Sequence, residues 1–306
     1  MARNFLSIDD LSTAELAHLL ELAEKVKAAP QAYEGRMDGL SVAMIFEKPS
    51  TRTRVSFEVG VAELGGHPIA LSATELQLGR GETIEDTGRV LSRYVHTVVV
   101  RTFGQERLES LARTSTVPVV NALSDFEHPC QCLADLLTIK EKRDRLAGLV
   151  LTYVGDGNNV AHSLLLGGAK AGLSVRVATP PGYEPIPQVV QRAQEIGAVT
   201  GGGGEVTNDP VEATRDADVL YTDVWASMGQ EAEADERPLV FQAYRLDQAA
   251  VERAKPDAIV MHCLPAHRGQ EITDEVIDGP HSVVWDQAEN RLHTQKALLL
   301  WLLDRV

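Results

Sequence analysis

The stretch Leu149-Val-Leu-Thr-Tyr-Val-Gly-Asp-Gly-Asn-Asn-Val160 decides the fold class. Its apolar run, Leu149–Val154, is short, β-branched and does not alternate in polarity, which is the pattern of a parallel strand buried on both faces. The glycine turn after it imitates a dinucleotide fingerprint, but Val160 stands where the third glycine belongs. The next apolar run, Ser174–Ala178, ends in Thr179-Pro180 and offers no acidic residue for a ribose, so a nicotinamide cofactor fits poorly. The pair Asn158-Asn159 suits a small polar ligand instead.

Working outward, similar runs recur at Leu40–Phe46, Pro68–Leu71, Thr97–Val100 and Val117–Asn121, and again at Val219–Thr222, Ala258–His262 and Ser282–Trp285. The segments between them are long enough for crossover helices, which predicts an α/β protein. Ser12-Thr-Ala-Glu15 reads as a capping box, with Leu11 and Leu16 as a hydrophobic staple, for a first helix reaching about Lys27. Glu289–Leu303 reads as the last helix. The charge run Lys140–Arg145 places a domain break within Ile139–Gly148, and Gly201–Gly204 reads as a flexible turn.

A chain of 306 residues is comfortable for two domains. Its net charge of −15 disfavours nucleic acid or an anionic membrane as the main partner. Three cysteines make no disulfide framework and suit a reducing compartment. Met1–Asp9 lacks a long apolar run, and the longest, Ala297–Leu303, is far short of the ~20 residues of a membrane span, so a cytoplasmic protein is expected.

Chemistry-bearing residues cluster just past the predicted strands. Pro49 and Ser50 open a helix whose first turn carries Thr51, Arg52 and Thr53, an arrangement suited to phosphate. An exposed helix entry with solvated arginines would look the same. His128-Pro-Cys-Gln131 brings two amide-recognising side chains onto one helical turn. Cys130 and Cys132 lack the second ligand pair of a closed zinc site, so no metal is expected. Asp223-Val-Trp-Ala-Ser-Met-Gly229 and His262-Cys-Leu-Pro265 follow two later strands. A lone thiol such as Cys263 is more often a small buried residue, and neighbours on a strand point to opposite faces, which weakens a Cys–His nucleophile pair.

Together Ser50–Arg54, His128-Pro-x-Gln131, Asp223 with Ser227-Met-Gly229, and His262-Cys-Leu-Pro265 resemble the ornithine carbamoyltransferases within the aspartate/ornithine carbamoyltransferase family. The first two motifs are common to both branches; the last two favour ornithine. The resemblance implies two domains, each a mainly parallel sheet with helices on both faces: residues 1–140 for carbamoyl phosphate, 148–285 for ornithine, and 286–306 as a helix returning to the first. It implies that Ser50, Thr51, Arg52, Thr53 and Arg101 hold the phosphate, that His128 and Gln131 bind the carbamoyl group, and that Arg291 reaches the same substrate. It further implies that Gln77 lies on a loop lent to a neighbouring subunit of a trimer, or of a multiple of trimers. By the same resemblance, Asn159, Asp223, Ser227 and Met228 are expected to hold ornithine, and Cys263 and Leu264 to line the place of reaction. Arg52, Arg101, His128, Asp223 and Cys263 are the implied catalytic set, acting without a cofactor. The stretch 223–237 is expected to close over the substrates, with carbamoyl phosphate binding first. Putrescine, N-acetylornithine and aspartate remain alternative acceptors, and a non-catalytic sensor or a dehydrogenase the alternative classes. Whether the role is biosynthetic or catabolic stays open.

Overall fold

The computed structural model describes residues 2–72, 81–226 and 237–306. In chain order its elements begin with α1 (Thr13–Ala28), β1 (Ser41–Phe46), α2 (Thr51–Glu63), β2 (His67–Ser72), α3 (Ile84–Leu91), β3 (Thr97–Arg101), α4 (Gln105–Thr114), β4 (Val119–Leu123) and α5 (Pro129–Arg143). They continue with β5 (Val150–Val154), α6 (Asn159–Lys170), β6 (Ser174–Ala178), α7 (Pro187–Thr200), β7 (Gly203–Thr207), α8 (Pro210–Thr214) and β8 (Val219–Thr222). The last are α9 (Arg237–Phe241), α10 (Gln248–Arg253), β9 (Ile259–His262), α11 (Asp274–Ile277) and α12 (Val284–Leu302). The chain divides into two units, residues 1–134 with 290–306, and residues 135–289. The division thus falls inside α5 and inside α12, earlier than the charge run, which forms the end of α5 and the residues just after it.

The first unit holds a parallel sheet in the order β2-β1-β3-β4. β3 and β4 are buried along their whole length and β1 along its centre, as continuous apolar runs require when helices cover both faces. Their side chains meet Leu108 and Leu111 of α4 in one core. Ser12 caps α1 reciprocally with Glu15, and Leu11 and Leu16 are both buried beside the cap. The strand order reverses between β1 and β3, which opens a crevice beyond their carboxyl ends. The register between β3 and β4 shifts at Val100/Arg101, where Ala122 is the extra residue on β4, so Arg101 ends β3 opposite Leu123.

The second unit holds a parallel sheet in the order β7-β6-β5-β8-β9. Its reversal lies between β5 and β8, so the residues after those strands border the corresponding crevice. The core under β8 and β9 gathers Leu220, Val260, Trp225, Phe241 and Tyr244.

Two expectations are corrected. Ser282–Trp285 is not a strand: Ser282 makes one isolated bridge to Val260, and α12 begins at Val284. The β-branched pair Val283-Val284 imitates a strand start, but Val284 already opens the long helix α12. Conversely, Gly203 and Gly204, read within Gly201–Gly204 as a flexible turn, open the edge strand β7, Gly203–Thr207. The glycines serve close packing: a Cβ on Gly204 would stand 2.6 Å from Leu165 Cδ2, and one on Gly197 2.4 Å from the Gly202 carbonyl oxygen. Among the described residues no helix is long and apolar enough to cross a membrane.

Candidate active site

The crevice of the first unit gathers cations. α2 begins directly after β1, and Ser50 is its N-cap residue without using its hydroxyl as a cap. Thr51 and Arg52 stand exposed on the first turn, and Thr53 is buried. Arg101, at the end of β3 beside the register shift, and Arg291, on α12, are both buried. Burial, reinforced by the positive charges of Arg291, Arg101 and Arg52 in that order, holds the His128 imidazole well below its ordinary pKa. His128 is therefore neutral, a hydrogen-bonding group rather than a fourth cation. Arg291 donates from Nη1 to Gln131 Oε1 at 2.6 Å and from Nη2 to Thr53 Oγ1 at 3.1 Å. The helix α5, which starts at Pro129, presents His128 and Gln131 at its entry. Glu127, fully buried, accepts from the Ser7 hydroxyl and, at 3.1 Å, from the Ile8 N–H, which ties the His128 approach to the N-terminal segment. Cys130 donates to the Asn121 carbonyl, and burial pushes its thiol up to about 12, so it is no nucleophile at neutral pH.

The crevice of the second unit is acidic and thiol-bearing. Asp223 follows β8; its Oδ2 accepts from Asn158 Nδ2 at 2.9 Å. Its Oδ1 accepts from the Cys263 thiol at 2.9 Å and from the Val224 N–H at 2.8 Å. Asn158 also caps α6, its Oδ1 accepting from the N–H groups of Val160 and Ala161. Asn159 is the first residue of that helix. Gly157 explains the imitation of a dinucleotide turn: a Cβ there would lie 2.3 Å from the Pro185 nitrogen. The glycine admits a neighbouring backbone, not a pyrophosphate. Tyr153 and Tyr221 line the same region, and burial, then nearby acidic groups, pushes both phenols well above their ordinary range.

Cys263 and Leu264 form the turn after β9, with Leu264 at φ 57°. The His262 imidazole is engaged elsewhere: its Nδ1 accepts from the Leu264 N–H at 2.8 Å, so Nε2 carries the proton toward Glu271 Oε1, 3.0 Å away. The thiol donates its hydrogen bond to Asp223, and both imidazole nitrogens are taken by Leu264 and Glu271, so this geometry does not favour a Cys–His nucleophile pair. Asp223, His262 and Cys263 bring their possible ligand atoms within 4.8 Å of one another. Both nitrogens of His262 and the thiol proton are nonetheless engaged in this protein-internal network, which suits positioning better than metal capture.

Gln77, Ser227 and Met228, and most of the stretch expected to close, lie outside the described residues. Sequence reasoning missed Arg237, which donates from Nη1 to Asp156 Oδ2 at 2.7 Å and to the Trp225 carbonyl at 2.5 Å, with its guanidinium over the Tyr183 ring. It also missed the buried acceptors Glu127 and Glu271. An acidic residue beside a motif carries no local signal of burial.

The carbamoyl-phosphate-binding domain model of the aspartate/ornithine carbamoyltransferases matches residues 3–141, and their Asp/Orn-binding domain model matches residues 147–302. A protein of Parafrankia sp. named ornithine carbamoyltransferase is 66% identical, aligned over 99% of this chain and 96% of its own. One of Acidothermus cellulolyticus with the same name is 60% identical over 99% of this chain and 97% of its own. The solved ornithine carbamoyltransferase of Pyrococcus furiosus superposes with a TM-score of 0.95 at 55% identity, covering 98% of this chain and 96% of that one.

Proposed function

The chain belongs to the aspartate/ornithine carbamoyltransferase family, and on that premise we propose that it transfers the carbamoyl group of carbamoyl phosphate to the δ-amine of L-ornithine, giving L-citrulline and phosphate. The observation that carries this reading is the imidazole of His128 kept neutral beside Arg52, Arg101 and Arg291. Such a group donates to a carbonyl oxygen without adding charge, while the guanidiniums receive a phosphate. Ser50, Thr51 and Thr53 supply hydroxyl and backbone donors at the start of α2, and Gln131 recognises the carbamoyl amide.

In the reaction the uncharged δ-amine attacks the carbamoyl carbon. A C–N bond forms, the C–O bond to phosphate breaks, and the proton lost by the attacking nitrogen leaves with the phosphate. Negative charge builds on the carbonyl oxygen, where preorganised donors act most strongly. Asp223 and Cys263 orient the δ-amine, and no covalent enzyme intermediate is needed. Holding both substrates in register supplies ~7–11 kcal/mol of such a barrier. Asn159, Ser227 and Met228 hold the α-amino and α-carboxylate groups, Leu264 lines the reacting end, and Gln77 serves the site of a neighbouring subunit in a homotrimer or larger assembly. The enzyme works in the cytoplasm without a cofactor.

The test is citrulline formation by the purified protein with carbamoyl phosphate and ornithine, beside parallel reactions with putrescine, N-acetylornithine and aspartate. Turnover with ornithine alone is expected. Turnover with another amine would overturn the assignment of Asp223 and its neighbours, and none with any amine would leave a binding protein on the same fold.

A further inference from the structure

Arg291 is held by more than Thr53 and Gln131. Gln295 stands one helical turn further along α12 and is buried. Its amide orientation is set by its neighbours: with the oxygen toward Arg291 it accepts from Nε at 3.1 Å and from Nη2 at 3.0 Å, and its nitrogen donates to Ser56 Oγ at 2.7 Å. Ser56 in turn donates to the Thr53 carbonyl at 3.2 Å, and Thr53 Oγ1 accepts from Arg291. The bonds close a ring, Arg291–Thr53–Ser56–Gln295, that joins the first turn of α2 to the guanidinium. Polar rings of this kind polarise one another and fix a single arrangement when every member is satisfied.

We propose that Gln295 is a positioning residue of the first unit's site: it grips one edge of the Arg291 guanidinium with a neutral oxygen. The plane of the fork is thereby fixed while its full positive charge stays available to the bound anion. A carboxylate at 295 would orient the same edge but spend the charge on itself. The inference rests on reading this site as that of carbamoyl phosphate.

The charge argument separates positioning from packing. Gln295→Glu conserves shape and gives Arg291 a stronger partner, so the thermal midpoint is not lowered. The KM for carbamoyl phosphate and the dissociation constant of inorganic phosphate both rise, by about 10- to 100-fold, the range set by a hydrogen bond to a charged group. The KM for ornithine stays within about twofold, as for a site with no shared partners. Gln295→Met removes the hydrogen bonds without adding charge, lowers kcat, and raises the phosphate constant less than the glutamate variant does. Unchanged phosphate affinity in folded Gln295→Glu would overturn the proposal, as would equal rises in both variants that merely follow a loss of thermal stability. Phosphate binding by calorimetry needs no turnover, so absence of citrulline from the wild-type protein would overturn the reaction and leave the role of Gln295 to be decided by the binding data.

Discussion

Replacing Asn158 by aspartate separates folding from function at a single atom. Asn158 has two duties: its Oδ1 caps α6, and its Nδ2 donates to Asp223 Oδ2 at 2.9 Å. In Asn158→Asp the cap survives, because aspartate accepts from a helix N-terminus as well as asparagine does. The second duty is reversed, since a donor becomes a second carboxylate facing Asp223. Two like charges about 4 Å apart repel by about 4 kcal/mol at an effective dielectric constant near 20, equivalent to about three pKa units. The introduced carboxylate therefore takes up a proton from about pH 7 downward, and the hydrogen bond to Asp223 returns when it does. The expected result is a thermal midpoint near that of the wild type at pH 6. The ornithine KM, measured by citrulline formation, should diverge progressively from the wild-type value between pH 6 and pH 9. Asn158→Ala loses both duties at every pH and destabilises the fold by about 2–4 kcal/mol. A folded Asn158→Asp protein whose ornithine KM keeps a constant ratio to the wild type across that range would refute the coupling of Asn158 to the ornithine site.

Three further outcomes are expected. The unfolded chain restores His128 to about 6.5 whereas the native state holds it far lower, so the unfolded state binds the extra proton and stability is lost as pH falls; chemical denaturation should show a loss of about 1 kcal/mol from His128 between pH 6.5 and pH 5.5, absent in His128→Asn. Cys263→Ser keeps a donor to Asp223 and should lower kcat by no more than about 100-fold, whereas loss of a true nucleophile costs on the order of 10⁶; a complete loss in a folded variant would restore the covalent reading. Gly157→Ala drives a methyl group to 2.3 Å from the Pro185 nitrogen and should cost more than about 3 kcal/mol, read as a lowered midpoint or loss of soluble protein.

Most of the scaffold was legible because buried parallel strands write themselves as unbroken apolar runs. Ser174–Ala178 and Val219–Thr222 could be delimited to the residue. β7 was not, because Gly204 answers to the side chains of Leu165 on α6 and Ala193 on α7 that pack on it, and Gly203 to its backbone conformation at φ 154°, neither of which local sequence displays. The site divides in the same way. Asp223 and Cys263 announce themselves by following strands, and their mutual hydrogen bond is the natural result of β8 pairing with β9. Gln295 and Arg237 sit in ordinary helical contexts, and their purpose comes from groups far away in the chain.

The edge of the second sheet carries one more consequence. β7 ends the sheet on Gly-Gly-Glu-Val-Thr, and a strand with so few side chains has little to fix its register or to repel an incoming strand. Glu205 answers both needs. It lies opposite Arg176 of β6 in the ladder and pairs with it at 3.1 Å, while its carboxylate remains largely in water. The same side chain thus pins the last strand in place and sets a negative charge on the open rim, where a second molecule would otherwise find a template for amyloid-like growth.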